Sequence, residues 1–336
     1  MSQNEGMDVR LSDYGIDLER GFLPAEDPLI HLPGAFDNYE GLALALPKLL
    51  LSGNVRKMIS FAPNFPINDL RGDREWQRAF VCLAGLTAVW IWEGDEPNLI
   101  VPQSLSLPLI EVAEKLGFEV GFGFDTAIYC NWHRLFMNSG IQGGNLAAIQ
   151  NFYGGLDEEW FYSTHLEFER WAGLIVSSLP ELLEAVKNGN ASATVNLLKL
   201  VENAFNMMKA ALDNAENGCR PETMQIRTGQ FLRGADEVIF EDCFEGQPKK
   251  WLSWSEQGRI SVACLHHIFG EDDYEKPLMV QKHKEFYLRL INEPKLDNFV
   301  AVSNDQELRS TFTRLKTSWN EIKCQLETWE KACFDD

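Results

Sequence analysis

A histidine and a glutamate one helical turn apart are the residues in this sequence best spaced for chemistry. His165 and Glu169 are four positions apart in a run with the apolar periodicity of a helix, so their side chains lie on the same helix face. An imidazole and a carboxylate at that spacing can share one metal ion, so a non-heme metal site is one interpretation. Such a pair also arises by chance, because a buried histidine followed by an exposed glutamate is ordinary in a helix.

The helix that carries this pair has an apolar face interrupted by one imidazole. Phe161, His165, Phe168 and Ala172 recur at helical spacing. One interpretation is a core histidine that is hydrogen-bonded to a neighbour, and the other is a pocket histidine that faces a ligand or a metal. Ile175 and Leu179 continue this stripe as far as Pro180, where the chain restarts.

Further metal ligands would have to come from other parts of the chain. Three histidines, His266, His267 and His283, follow in the second half of the sequence. The seven cysteines are scattered, odd in number and form no C-x-x-C pair. A disulfide framework or a zinc–cysteine site is therefore not expected.

The elements that must position these residues are predicted to be helices, which makes the fold class all-α with two domains. Apolar periodicity predicts helices over residues 39–51, 74–92, 157–187, 193–216, 221–233, 260–269, 277–291 and 305–333. Residues 15–28 and 100–108 are predicted to be extended, 118–129 to be a strand or a loop, and 241–259 to be a polar loop. We expect a small N-terminal domain over 1–137, a connecting loop over 138–155, and a large helical domain over 156–336.

Charge and missing motifs exclude several function classes. The formal net charge of −20 argues against sequence-independent nucleic-acid binding and against an anionic membrane surface as partners. The sequence contains no dinucleotide fingerprint, P-loop, H-E-x-x-H or G-x-S-x-G motif. With no secretory signal pattern and no apolar run near ~18 residues, we expect a soluble cytoplasmic protein.

An ordered set of short motifs carries a family resemblance. The set comprises Arg20–Pro24 with Pro28 and Leu32-Pro33, Leu46-Pro47, Pro102 to Pro108, and Asn131-Trp132. In this order the motifs resemble the indoleamine 2,3-dioxygenase family, and the resemblance continues to residue 329. The run Leu265 to Gly270 also resembles the family's relative in pyrrolnitrin biosynthesis.

The resemblance implies a helical two-domain fold that binds heme b between the domains. Family members use dioxygen to oxidise the indole ring of tryptophan or a relative. Phe124, Phe161 and Tyr162 fall on the family's pocket aromatics, and His165 falls where the indoleamine enzymes have a serine. A neutral imidazole there would accept the indole N–H, as a buried polar group needs a partner.

Two positions depart from the family pattern. The carboxylate-binding arginine is matched by Gly229, so Arg227 or Arg233 would have to bind a substrate carboxylate. The family's proximal heme ligand is a histidine on the last long helix; in this chain the matched position falls near Leu326, and no histidine follows His283. Cys324 is two residues away, and a rotation of about 200° turns it from that face. His266, His267, His283 and Cys324 are the substitute ligands that the sequence offers.

The sequence therefore predicts a heme-dependent oxygenase-like enzyme that oxidises an indole substrate with dioxygen, with His165 orienting the indole. Two alternatives stay open. The chain could be a heme-less family member with non-heme iron at His165 and Glu169, or a non-catalytic protein that binds an aromatic ligand.

Overall fold

The computed structural model describes residues 10–269 and 280–334, and its architecture is all-α, as the sequence predicts. The described residues form two compact units, each assembled from segments that are distant in sequence. The first unit contains described residues within 1–25, 166–214 and 258–330. The second contains those within 26–165, 215–257 and 331–336. The domain boundary expected at 138–155 stays a prediction.

The helices of the described chain are named here in order. They are α1 (Asp37–Ser52), α2 (Val55–Ser60), α3 (Gly72–Trp92), α4 (Gln103–Leu116), α5 (Leu156–Lys187), α6 (Ala191–Gly218), α7 (Pro221–Arg227), α8 (Ile260–Ile268), α9 (Gln281–Leu290), α10 (Leu296–Val302) and α11 (Gln306–Phe334). The helix predicted over 277–291 corresponds to α9, and its first three predicted residues lie outside the described residues. In the parts of the chain that the structure describes, no helix has the length and apolarity needed to span a bilayer.

Helix α3 forms the centre of the second unit, where it packs against α1, α2 and α4. Its residues from Arg78 to Val89 are buried on every side, as its nearly all-round apolar sequence predicts. The buried guanidinium of Arg78 donates to the carboxylate of Glu40 on α1 at 2.9 Å, so the one cation in this stretch is paired.

The prediction of an extended segment over 100–108 is wrong from Gln103 onward, because α4 runs through Pro108. Proline has no N–H to donate to the carbonyl oxygen four residues earlier, which here belongs to Ser104. The hydroxyl of Tyr39 lies 2.9 Å from that oxygen and 2.9 Å from the carbonyl oxygen of Pro63, so its one hydrogen is shared between the two carbonyls. The Ser104 carbonyl therefore has a donor beside it, and the helix continues. The helix predicted over 157–187 is confirmed, since α5 runs through Pro180 to Lys187.

Short strands lie in the second unit. They are β1 (Ile100–Val101), β2 (Trp132–Arg134), β3 (Leu146–Ala148), β4 (Ala235–Phe240) and β5 (Lys249–Trp251). Strand β4 pairs in parallel with β1 and antiparallel with β5, while β2 and β3 form a hairpin. The polar loop predicted over 241–259 thus contains a strand. In the segment 118–129, Gly121 bridges Leu252 and Asp125–Tyr129 forms a π-turn.

The first unit is built around the buried face of α11. The predicted seam is confirmed, because its members Leu308, Phe312, Leu315, Trp319, Ile322, Leu326 and Trp329 are all buried. Leu11–Tyr14 is a 3-10 turn, and within the segment 15–28 that was predicted to be extended, Asp17 pairs with Gly21. A Cβ on Gly21 would lie 2.2 Å from the Cα of Gly173, so this turn contacts the backbone of α5 directly.

Candidate functional site

His165 lies inside the second unit with its tautomer defined by its own helix. The side chain is 1% exposed, and its Nδ1 lies 2.8 Å from the carbonyl oxygen of Phe161, one turn earlier on α5. A carbonyl oxygen only accepts, so Nδ1 carries the hydrogen and donates. In the neutral imidazole, Nε2 is then an acceptor. This is the state in which the ring can receive an N–H from a ligand.

Aromatic rings surround this imidazole. Ring centroids lie 4.5 Å away for Phe161, 5.1 Å for Trp254 and 6.0 Å for Phe124. Phe334, at the end of α11, packs edge-on against Phe161 at 5.3 Å. We call these five residues the His165 cluster. The structure therefore brings together His165 with two of the three predicted pocket aromatics, in surroundings that suit a flat apolar ligand.

Tyr162, the third predicted pocket aromatic, contacts the cluster through Phe161 at a centroid distance of 5.7 Å. Its hydroxyl donates to the carboxylate of Glu158 at 3.5 Å. Burial, followed by the charge of Glu158, holds the pKa of Tyr162 well above its usual value. The phenol therefore stays protonated and supports the helix start.

Glu158 lies in the first turn of α5 and holds the segment before it. Its carboxylate accepts backbone N–H groups from Phe152 at 2.7 Å, Tyr153 at 3.2 Å and Gly154 at 2.8 Å. Burial raises the pKa of Glu158 to about 7, against the opposite effect of its N–H donors. This arrangement resembles the glutamate half of a capping box and sets the start of the helix that carries His165.

A cleft of about 370 Å³ opens beside the His165 cluster within the second unit. Trp254, Phe334 and the exposed Arg233 line this cleft. Arg227 is also exposed at the end of α7, but it is not among the residues that line the cleft. Of the two arginines predicted for a substrate carboxylate, Arg233 is the one at this opening. Gly229, at the position matched to the family's arginine, lines the same cleft.

Glu169, the predicted metal partner of His165, lies in the first unit. Its buried carboxylate accepts a hydrogen bond of 2.6 Å from the hydroxyl of Ser261 on α8. Cys264, on the same helix, is fully buried, and burial together with the nearby charge of Glu169 raises the pKa of its thiol. Metal ligation by Glu169 stays a prediction, and the contact shown for this carboxylate is a hydrogen bond inside a core.

The other metal candidates are dispersed in the first unit. His266 packs edge-on against Trp319, whereas burial lowers the pKa of His267. His283 packs against Phe22, and burial lowers its pKa to about 4. Cys324 is exposed, as its rotation away from the seam predicts. Within residues 10–269 and 280–334, no three His, Cys, Asp or Glu side chains are grouped to hold a metal ion.

The position matched to the family's proximal ligand carries a side chain without a donor atom. Leu326 is 3% exposed and lies on the buried face of α11, between Ile322 and Trp329. A leucine cannot ligate iron, and heme iron in proteins is held by His, Cys, Met or Tyr. The residues present therefore do not fit the heme ligation that the family resemblance implies.

Sequence reasoning missed Trp254, Phe334 and Glu158. Trp254 contacts His165 from 89 residues away in sequence, and Phe334 contacts Phe161 from 173 residues away, and no local periodicity reports such contacts. Glu158 had a usable signal, because an acidic residue in the third helical position is typical of a helix start.

Comparison with known proteins supports one family. The family model described as indoleamine 2,3-dioxygenase matches residues 10–258. The indoleamine 2,3-dioxygenase acdA of Aspergillus candidus is 30% identical over 241 residues, which is 69% of this chain and 58% of that relative. Indoleamine 2,3-dioxygenase qulI of Penicillium citrinum is 28% identical, over 91% of this chain and 75% of the relative. Indoleamine 2,3-dioxygenase 1 of Rattus norvegicus is 24% identical, over 93% and 81%.

Proposed function

Because the chain belongs to the indoleamine 2,3-dioxygenase family, we propose that it binds an indole-containing substrate, tryptophan or a derivative, with the indole N–H directed at Nε2 of His165. The hydrogen bond between Nδ1 of His165 and the carbonyl oxygen of Phe161 carries this proposal, because it leaves Nε2 as the acceptor. An indole N–H is a donor only, so the two groups are complementary.

The rest of the His165 cluster supports an indole rather than a polar ligand. Phe124 and Phe161, which pack beside His165, offer edges and faces to a flat ring, and such pairs gain about 0.5–1.5 kcal/mol beyond their buried area. At the cleft, the guanidinium of Arg233 would bind the carboxylate of an amino-acid substrate. Tryptophan would then be held at both ends.

Oxidation of the bound indole by dioxygen is the second part of the proposal. The names of the relatives, which are dioxygenases, favour it. In the family, heme b supplies the iron that activates dioxygen, and Leu326 leaves this chain without the matching ligand. This chain's residues supply binding and orientation of the indole. If the chain oxidises indole, iron would have to be held by residues other than the family's, such as a substitute heme ligand.

Calorimetric titration with indole tests the binding proposal. We expect the wild-type chain to bind indole, and His165→Ala to bind it about fivefold to tenfold more weakly while the protein still folds. Equal affinity of the two proteins would contradict the proposed role of His165. Loss of the fold in His165→Ala would instead assign His165 to the core.

An absorption spectrum before and after addition of hemin, followed by metal analysis, tests the oxidation proposal. An intense Soret band at one heme per chain would support a heme oxygenase with a substitute ligand. Stoichiometric iron without such a band would support non-heme iron. If the protein shows neither a Soret band nor stoichiometric iron, indole binding alone remains as the proposed function.

A further inference from the structure

Trp254 places an indole ring beside His165 already. The side chain comes from residues 252–259, between β5 and α8, and is 4% exposed. Its ring lies edge-on to His165 at 5.1 Å, tilted against Phe161 at 5.0 Å, and tilted against Phe124 at 5.2 Å. These three side chains are the ones we assign to the substrate's indole.

The same tryptophan lines the cleft. Arg233 and Phe334 line it too, and the rings of Trp254 and Phe334 lie 6.0 Å apart. His165 itself is not among the lining residues and is almost fully buried. Trp254 therefore lines the cleft with one part of its side chain and contacts the imidazole of His165 as well.

Resting on the proposed function, we propose that Trp254 is the specificity-determining residue of this site: its indole occupies the substrate's place beside His165 and must rotate out before a ligand binds there. Protein interiors are close-packed, so one ring of this size excludes another. The residue lies outside regular helix or strand, where a change of backbone angles does not break a helix ladder. Its backbone N–H donates to the carbonyl oxygen of Leu232 at 2.9 Å, which anchors the loop while the side chain turns.

Occupancy by Trp254 reduces apparent affinity, because only the fraction of molecules with the ring displaced can bind. A ligand must also regain the ring contacts that Trp254 gives up. Fused aromatic ligands are therefore favoured over single rings of the same polarity. Removing the side chain should raise affinity for indole itself and relax this preference.

Calorimetry with indole on Trp254→Leu and Trp254→Ala tests the inference. We expect both variants to bind indole at least about tenfold more tightly than wild type, as occupancy is relieved. Trp319→Leu, which removes an equally buried ring from the first unit, should leave affinity unchanged. Unchanged or weaker binding by the Trp254 variants, with wild type still binding indole, would overturn the inference and leave the proposed function standing.

The double variant Trp254→Leu with His165→Ala separates the displacement of Trp254 from the proposed binding of indole by His165. If it binds indole as tightly as Trp254→Leu, the opened space accepts the ring without His165 and the proposed function fails. If no protein in the set binds indole, both fail.

Fluorine NMR of wild-type protein labelled with 5-fluorotryptophan keeps the inference testable if a variant does not fold. The Trp254 resonance is identified by its loss in Trp254→Phe. It should shift when indole saturates the protein, while the Trp319 resonance stays in place. An unmoved Trp254 resonance at saturation would contradict the displacement.

Discussion

Nδ1 of His165 donates a 2.8 Å hydrogen bond to the carbonyl oxygen of Phe161, on the same helix. The bond occupies Nδ1, the atom through which a core histidine would bond a neighbour, and it leaves Nε2 as the hydrogen-bond acceptor of the ring. Phe161 thereby has two functions, since its ring packs against the imidazole at 4.5 Å and its backbone fixes the tautomer. A core histidine and a ligand-facing histidine are thus compatible in one residue.

The leucine at the matched proximal position gives a prediction about heme. Leu326→His should restore a ligand on the buried face of α11 and raise affinity for hemin at least about tenfold, because imidazole ligates heme iron and leucine does not. A hemin titration followed at the Soret band measures this. Ile322→His, one turn earlier on the same face, is the control and should gain less. Equal hemin affinity of wild type and Leu326→His would contradict the assignment of this position.

The close approach of Gly21 and Gly173 predicts a large effect from one methyl group. Gly21 has a φ of 64° and its Cβ would lie 2.2 Å from the Cα of Gly173, so Gly21→Ala must push two backbones apart. We expect this variant to lose about 2–4 kcal/mol of the free energy of unfolding, from overpacking plus left-handed strain.

Gly53→Ala is the control for that substitution. Gly53 has a φ of 62°, and a Cβ there meets nothing within 4 Å, so only the strain of about 1–2 kcal/mol remains. Urea unfolding of both variants measures the difference. Equal losses would show that the contact between Gly21 and Gly173 does not matter for stability.

Burial of His283 predicts how stability depends on pH. Burial lowers its pKa to about 4, below the value of about 6.5 in an unfolded chain. Between these values the unfolded state binds the proton and the folded state does not. The stabilisation is therefore complete above pH 6.5 and is lost as pH falls toward 4, by about 3 kcal/mol in total.

His283→Gln removes this titration. Unfolding free energies of wild type and His283→Gln, measured from pH 7 to pH 4, should converge as pH falls. If His283→Gln keeps the wild-type dependence of unfolding free energy on pH, burial of His283 is not the source of that dependence.

The sequence predicted the elements whose signal is local. The α5 face that contains Phe161, His165 and Phe168 is buried, and so is the seam of α11. A continuous apolar stripe on a helix is removed from water when that face packs against other elements. The prediction of an extended segment over 100–108 was wrong because two prolines suggest an extended chain. Only the tertiary contact between Tyr39 and Ser104 shows how α4 continues past Pro108. Trp254 was assigned only to a polar loop, and its contact with His165 depends on folding the whole second unit.

The central claim is that Nε2 of His165 accepts the indole N–H, and paired titrations with indole and 1-methylindole test it most directly. The methylated ligand keeps the ring and lacks the donor. Wild type should bind indole about fivefold or more tightly than 1-methylindole, as expected for one hydrogen bond of about 1 kcal/mol. His165→Ala should bind the two ligands equally. If wild type does not distinguish them, or if His165→Ala distinguishes them as well as wild type does, the indole N–H is not bound by His165.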